Sequence, residues 1–159
     1  MLLLSQGFLT VEERKELQLA AEKLSLKNSP AFLGNFGYRQ FKYPEPLPSV
    51  FEAVMERLQG LVPTQEFNVA FVQRYDKGCE VKRHRDPLNN VGMTVIALFG
   101  EYTGARNVYE GPTGPTEYGT KAGDVLVAPC TLNGKQGPWH SVTPVESGTR
   151  WALILNTIR

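Results

Sequence analysis

The chain has 159 residues, a length suited to one domain around a single core. Its formal net charge is +1, so no global charge marks it for nucleic acid or an anionic membrane surface. Two cysteines, Cys79 and Cys130, cannot build a disulfide framework, and no stretch reaches the roughly 20 apolar residues of a membrane helix.

The opening Met1-Leu2-Leu3-Leu4 has no basic residue before it and is broken at Ser5-Gln6-Gly7, unlike a secretory leader. The expectation is an intracellular, cytoplasmic protein, the nucleus being the secondary alternative, with no membrane partner. Thr10 and Glu13 form a capping box ahead of a helix running to about Leu26, with Leu17, Ala20, Ala21 and Leu24 on one face. A second helix starts at Pro48 or Ser49 and carries Val50, Phe51, Val54, Met55 and Leu58 at helical spacing until Gly60.

Near residue 65 the period changes to that of strands. These are expected at 67–75, 81–86, 94–100, 106–109, 125–129, 140–145 and 149–156, with turn signals between them such as Asp76-Lys77-Gly78 and Ala122-Gly123-Asp124. The fold class is mainly β within α+β: a double-stranded β-helix, or jelly-roll, core with two N-terminal supporting helices. Residues 1–159 read as one domain, with 1–62 as helical support and 65–158 as the jelly-roll core.

The chain has only two histidines. His84-Arg85-Asp86 places an imidazole and a carboxylate two residues apart, on the same face of a strand and about 6.5–7 Å apart at Cα. Two such side chains can converge on one metal ion. A third ligand, for which His140 is the only remaining histidine, leaves half the coordination sphere open, the signature of non-haem Fe(II) oxygenases. A His-x-Asp alone is weak, since a surface pair or a satisfied hydrogen bond gives the same letters.

Arg150 adds specificity. Ser141 to Thr149 reads as a tight hairpin in which Val145 pairs with Thr149 and Gly148 takes the left-handed position. Arg150 then faces Pro144, Ile154 faces His140, and His140 and Arg150 share a face roughly 13 Å apart. A five-carbon diacid that chelates a metal at one end and meets a guanidinium at the other fills such a gap. A buried arginine with no such purpose would be costly.

With those residues in place, His84-x-Asp86, His140 and Arg150 resemble the Fe(II)/2-oxoglutarate dioxygenase superfamily over roughly residues 67–157. The resemblance implies a jelly-roll core, Fe(II), 2-oxoglutarate, molecular oxygen, and release of succinate and CO2. Gln73-Arg74-Tyr75 ahead of the His-x-Asp is similar to AlkB-like demethylases, which implies that Tyr75 and Gln73 contact 2-oxoglutarate. Gln73 stands where those proteins carry Asn. The run from His84 to Asn90 is similar to the TET/JBP group of 5-methylpyrimidine dioxygenases, which implies Asn89 as a base-contacting residue and DNA with modified pyrimidines as partner. That group has a base-contacting histidine eight residues past the arginine, where this chain has Ile158.

Arg85 and Arg106 complete the expected substrate contacts, the latter at the mouth of the site. The basic run from Arg74 to Arg85 reads either as a solvated face or as a phosphate-contacting patch. Trp139 and Trp151 read as core, and both cysteines as plain thiols. Two rivals stay open. One keeps the chemistry but hydroxylates a protein side chain of prolyl type, or a small metabolite. The other is a cupin-like metal-binding module or a zinc hydrolase with the same three ligands, neither of which needs a cation at Arg150. Oligomeric state is not legible.

Overall fold

The structure, a computed structural model, describes residues 2–159. In chain order its elements are β1 (Leu3–Ser5), α1 (Val11–Glu22), β2 (Lys27–Asn28), β3 (Gly37–Lys42), α2 (Ser49–Gln59), β4 (Val69–Tyr75), β5 (Val81–His84) and β6 (Asn90–Phe99). There follow β7 (Tyr102–Gly104), β8 (Asn107–Gly111), β9 (Gly114–Tyr118), β10 (Val125–Pro129), β11 (Thr131–Leu132), β12 (Lys135–Gln136), β13 (His140–Val142), β14 (Val145–Gly148) and β15 (Arg150–Ile158).

α1 begins where the capping box predicts. The Thr10 hydroxyl accepts from the Glu13 amide at 3.1 Å, and Glu13 accepts from the Thr10 amide at 2.9 Å. The helix stops at Glu22 rather than Leu26, because Lys27 and Asn28 leave it to pair with Tyr38 and Gly37. Leu17 and Ala21 of α1 and Phe51, Val54 and Leu58 of α2 are fully buried against one face of the large sheet. Each of the larger side chains stabilises the fold by roughly 1.5–3 kcal/mol through burial.

That sheet runs β1-β10-β6-β15-β4-β3-β2, with β11 and β12 attached beside β6. Its central strands are buried on both faces, and strand parity sorts their residues. Val95, Ala97 and Phe99, with Trp151, Leu153 and Leu155, pack under the helices. The intervening Ile96, Leu98, Ala152 and Ile154 face the other way. A second sheet, β5-β13-β8-β9, and the β7–β14 pair cover this opposite face, giving the two-layer jelly roll. No described helix is long and apolar enough to cross a membrane.

Two expectations are corrected. Residues 1–62 are not helical support alone, since β1, β2 and β3 extend the large sheet at both edges. β3 escapes sequence reading because Arg39, Gln40 and Lys42 break its apolar alternation, leaving only Phe41 buried. The Val145–Thr149 hairpin does not form. β14 pairs with β7, and β15 joins the large sheet, where Arg150 faces Tyr75 and Ile154 lies between Phe71 and Ile96. His140 instead pairs with His84 and Tyr109 in the second sheet. Gly148 does adopt the left-handed backbone (φ 74°), and a Cβ there would lie 2.1 Å from the Glu101 carbonyl oxygen.

Candidate active site

Between the two sheets lies a cavity of about 520 Å³. His84 ends β5 and His140 begins β13, and because the two strands pair with His84 opposite His140, the two imidazoles meet. Asp86 follows β5 by two residues and brings its carboxylate between them. Its Oδ1 lies 3.6 Å from His84 Nε2 and 3.5 Å from His140 Nε2. The ligand atoms of all three lie within 4.8 Å of one another.

The backbone sets the tautomers. His84 Nδ1 lies 2.8 Å from the Lys82 carbonyl, and His140 Nδ1 lies 3.0 Å from the Pro138 carbonyl. A carbonyl only accepts, so each Nδ1 donates there, which turns each Nε2 toward the cluster as the atom that would ligate a metal. The His140 ring is further held by stacking on Tyr109, centroids 5.2 Å apart at 13°. Burial alone would raise the Asp86 carboxyl, but the adjacent His140 and His84 rings outweigh it and hold it well below the usual carboxylate range. Two imidazoles and one carboxylate, open on one side, suit Fe(II).

The large sheet contributes the second half of the site. Gln73 and Tyr75 on β4, with Arg150 and Ile154 on β15, project into the same cavity. Arg150 is only 2% exposed. Its Cζ sits 4.8 Å from the Tyr75 ring centroid, and its Nη2 donates to Asn107 Oδ1 at 3.3 Å. No carboxylate pairs with it among the described residues, and its buried Nε has no partner. A buried cation with no carboxylate partner is costly to the fold. The carboxylate of 2-oxoglutarate fits that vacancy of charge, as the donor set of the cluster fits iron. Burial pushes the Tyr75 phenol up to about 12 despite the opposing Arg150 charge, so it remains a neutral donor, bonded to Gln73 Oε1.

The expected substrate residues fare differently. Arg85 borders the cavity, but its guanidinium donates to the carbonyls of Gly137 (2.9 Å) and Gln136 (3.0 Å). Asn89 is exposed in the turn before β6 and does not line the cavity; its neighbour Asn90 does. Arg106 is exposed outside β8, and the adjacent Asn107 faces inward. Both misplacements are one residue, which on a strand exchanges the faces.

Sequence reading also missed the chain of hydroxyls behind Arg150. Asn107 Nδ2 donates to Thr120 Oγ1 at 3.3 Å, and that oxygen lies 2.8 Å from the Tyr102 hydroxyl. Alternation of Asn107 and Tyr109 on β8 was the available signal. Trp151 is core, stacked on Phe99, whereas Trp139 is exposed beneath the Arg83 guanidinium. Cys130 is buried, and burial, reinforced by Asp86, pushes its thiol up, away from nucleophilic use.

No family model matches the chain, and no curated protein matches it by sequence. Its similarity is to solved structures. A Pseudomonas putida prolyl-4-hydroxylase shares 14% identity at a TM-score of 0.77, covering 99% of this chain and 92% of that one. A viral collagen prolyl hydroxylase from Paramecium Bursaria Chlorella virus-1, in complex with 2-oxoglutarate, shares 19% at 0.76, covering 98% and 94%. A Burkholderia pseudomallei oxidoreductase of the 2OG-Fe(II) oxygenase family shares 14% at 0.74, covering 99% and 84%. The fold shared with these structures is thus a double-stranded β-helix. Within it His84, Asp86 and His140 form a three-ligand facial cluster able to hold a metal ion.

Proposed function

We propose that residues 1–159 act as one Fe(II)- and 2-oxoglutarate-dependent dioxygenase domain that hydroxylates an amino-acid side chain of a polypeptide, of prolyl type. The observation that carries this reading is the meeting, in one cavity, of the three-ligand cluster with a buried guanidinium that lacks a carboxylate partner. His84, Asp86 and His140 would hold the metal, leaving one side of it for co-substrate and oxygen. Arg150 would bind the distal carboxylate of 2-oxoglutarate, with Asn107 and Tyr75 fixing the guanidinium. When bound, iron and 2-oxoglutarate supply the oxidising chemistry, one oxygen atom entering the substrate C–H bond and the other leaving in succinate, with CO2 released. The chain's own part is ligation, orientation and a dry wall of Ile96, Val142 and Ile154.

The substrate reading rests on what flanks the site. A DNA substrate needs free cations for phosphate. Here Arg74 is paired with Asp76 and Arg83 with Glu110, and Lys82 and Arg85 donate to backbone carbonyls, which leaves Lys77 as the one unpaired cation of that run among the described residues. Asn89, the expected base contact, stands off the cavity. The prolyl hydroxylases among the similar folds support the polypeptide reading over the 5-methylpyrimidine one. A cupin-like module or zinc hydrolase leaves Arg150 without a task.

Succinate release tests it. The Fe(II)-loaded chain with 2-oxoglutarate and oxygen is expected to form succinate, faster with proline-containing peptides than without. Stimulation by 5-methylcytosine DNA and not by any peptide would overturn the substrate reading.

A further inference from the structure

Six residues beyond Arg150 on the same face of β15, about 20 Å at strand rise, stands Asn156. Asn90 opens β6, its backbone paired with Ile158 of the same strand. Both asparagines are more than nine-tenths buried, both line the cavity, and the amide oxygen of each has no hydrogen-bond partner. A buried acceptor left alone is costly, and two at one end of a cavity are a place where a ligand's donors complete the structure. Asn90 also lies four residues past Asp86, its amide bonded to the Pro87 carbonyl at 2.9 Å, so this end adjoins the metal cluster.

The chemistry of the missing partner is constrained. Acceptor oxygens repel anions, and among the described residues the only cations lining the cavity are Arg150, at its other end, and Arg85, already bonded to Gly137 and Gln136. The occupant is therefore not anionic and carries N–H or O–H donors. An extended polypeptide offers such donors at regular intervals, with the N–H and C=O of each residue pointing to one side. A nucleotide would bring a phosphate to a rim whose neighbouring cations Arg83 and Lys82 are already engaged.

We infer that Asn90 and Asn156 form a subsite that accepts hydrogen bonds from backbone N–H groups of an extended polypeptide flanking the oxidised side chain. The inference rests on the polypeptide reading above and names the residues that recognise that substrate. They are specificity residues, apart from the metal ligands and from Arg150.

The test uses the full chain loaded with Zn(II), a redox-inert stand-in for iron, and 2-oxoglutarate. Three probes are titrated by calorimetry: acetyl-Gly-Pro-Gly-amide, the same peptide with its glycine nitrogens methylated, and 5-methylcytidine. The unmethylated peptide is expected to bind about tenfold tighter than the methylated one, the worth of one to two hydrogen bonds. Asn90→Leu and Asn156→Leu, which keep volume and remove the amide, are expected to abolish that difference. Their melting temperatures are expected to equal or exceed that of the parent, because an unpartnered buried oxygen is removed; a structural role would lower them. Equal binding of the two peptides, no binding of either, or a methylation effect that survives both substitutions overturns the subsite. So does 5-methylcytidine binding that depends on the two asparagines. Titration of 2-oxoglutarate into the Zn(II)-loaded chain without peptide is the separate check. If it fails, the oxygenase reading falls on its own, whatever the peptides do.

Discussion

The Arg150 guanidinium spans the two sheets of the jelly roll, lying over the Tyr75 ring on one and donating to Asn107 Oδ1 on the other at 3.3 Å. The contact fixes a buried charge that no carboxylate pairs with among the described residues. Asn107→Leu is expected to weaken 2-oxoglutarate binding by about 1.5–3 kcal/mol, the worth of a hydrogen bond to a charged group. Metal affinity is expected to stay unchanged. Parallel calorimetry of metal and 2-oxoglutarate separates the two, and equal losses in both would mean that Asn107 merely holds the sandwich together.

Removing Arg150 has opposite effects on binding and on stability. Arg150→Met is expected to abolish 2-oxoglutarate binding in calorimetry, and Arg150→Lys to restore only part of it, since ammonium lacks the fork that fits a carboxylate. In the absence of ligand, Arg150→Met is expected to melt at or above the parent's temperature, because an uncompensated buried charge has gone. A methionine variant that melts several degrees lower would show the guanidinium to be a structural member.

Asn89 provides a negative prediction. It is exposed in a turn where its carbonyl accepts from the Arg159 amide at 2.8 Å, and its side chain does not line the cavity. Asn89→Ala is expected to change stability by no more than about 0.5 kcal/mol, as for an ordinary surface site. Metal and 2-oxoglutarate affinities are expected to match the parent, and a tenfold loss in either would return Asn89 to the site.

Gln65 holds the irregular end of β6. Its Oε1 accepts from the Met93 amide at 2.8 Å, while its Nε2 donates to the Met93 carbonyl at 2.9 Å and to Thr157 Oγ1 at 3.0 Å. These bonds bridge the register shift between β6 and β15 beside Asn90 and Asn156. Gln65→Ala strands a backbone amide and carbonyl together and is expected to lower stability by about 2–3 kcal/mol. Urea unfolding measures this directly.

Much of the site was legible because strand parity is a strong constraint. A histidine and an aspartate two apart, and an arginine at the head of the apolar run 151–155, each announce a polar task on an inward face. The route by which His140 and Arg150 come together was not legible. Short-range turn signals favoured a hairpin at 145–149, yet Val145–Gly148 pairs with Tyr102–Gly104, a partner more than forty residues away. The jelly roll sends consecutive strands to opposite sheets, and only tertiary packing reveals that. The same limit explains Arg106 for Asn107 and Asn89 for Asn90. Where a strand begins decides which neighbour faces inward, and sequence boundaries are uncertain by more than the single residue that matters.

The central claim is a metal site completed by a diacid, and sequential calorimetry with Mn(II) and then 2-oxoglutarate, under anaerobic conditions, tests it most directly. The parent chain is expected to bind one Mn(II), and 2-oxoglutarate only once the metal is present. Asp86→Ala is expected to lose both events, and Arg150→Ala only the second. Undiminished Mn(II) binding by Asp86→Ala, or 2-oxoglutarate binding that needs neither metal nor Arg150, would contradict the account.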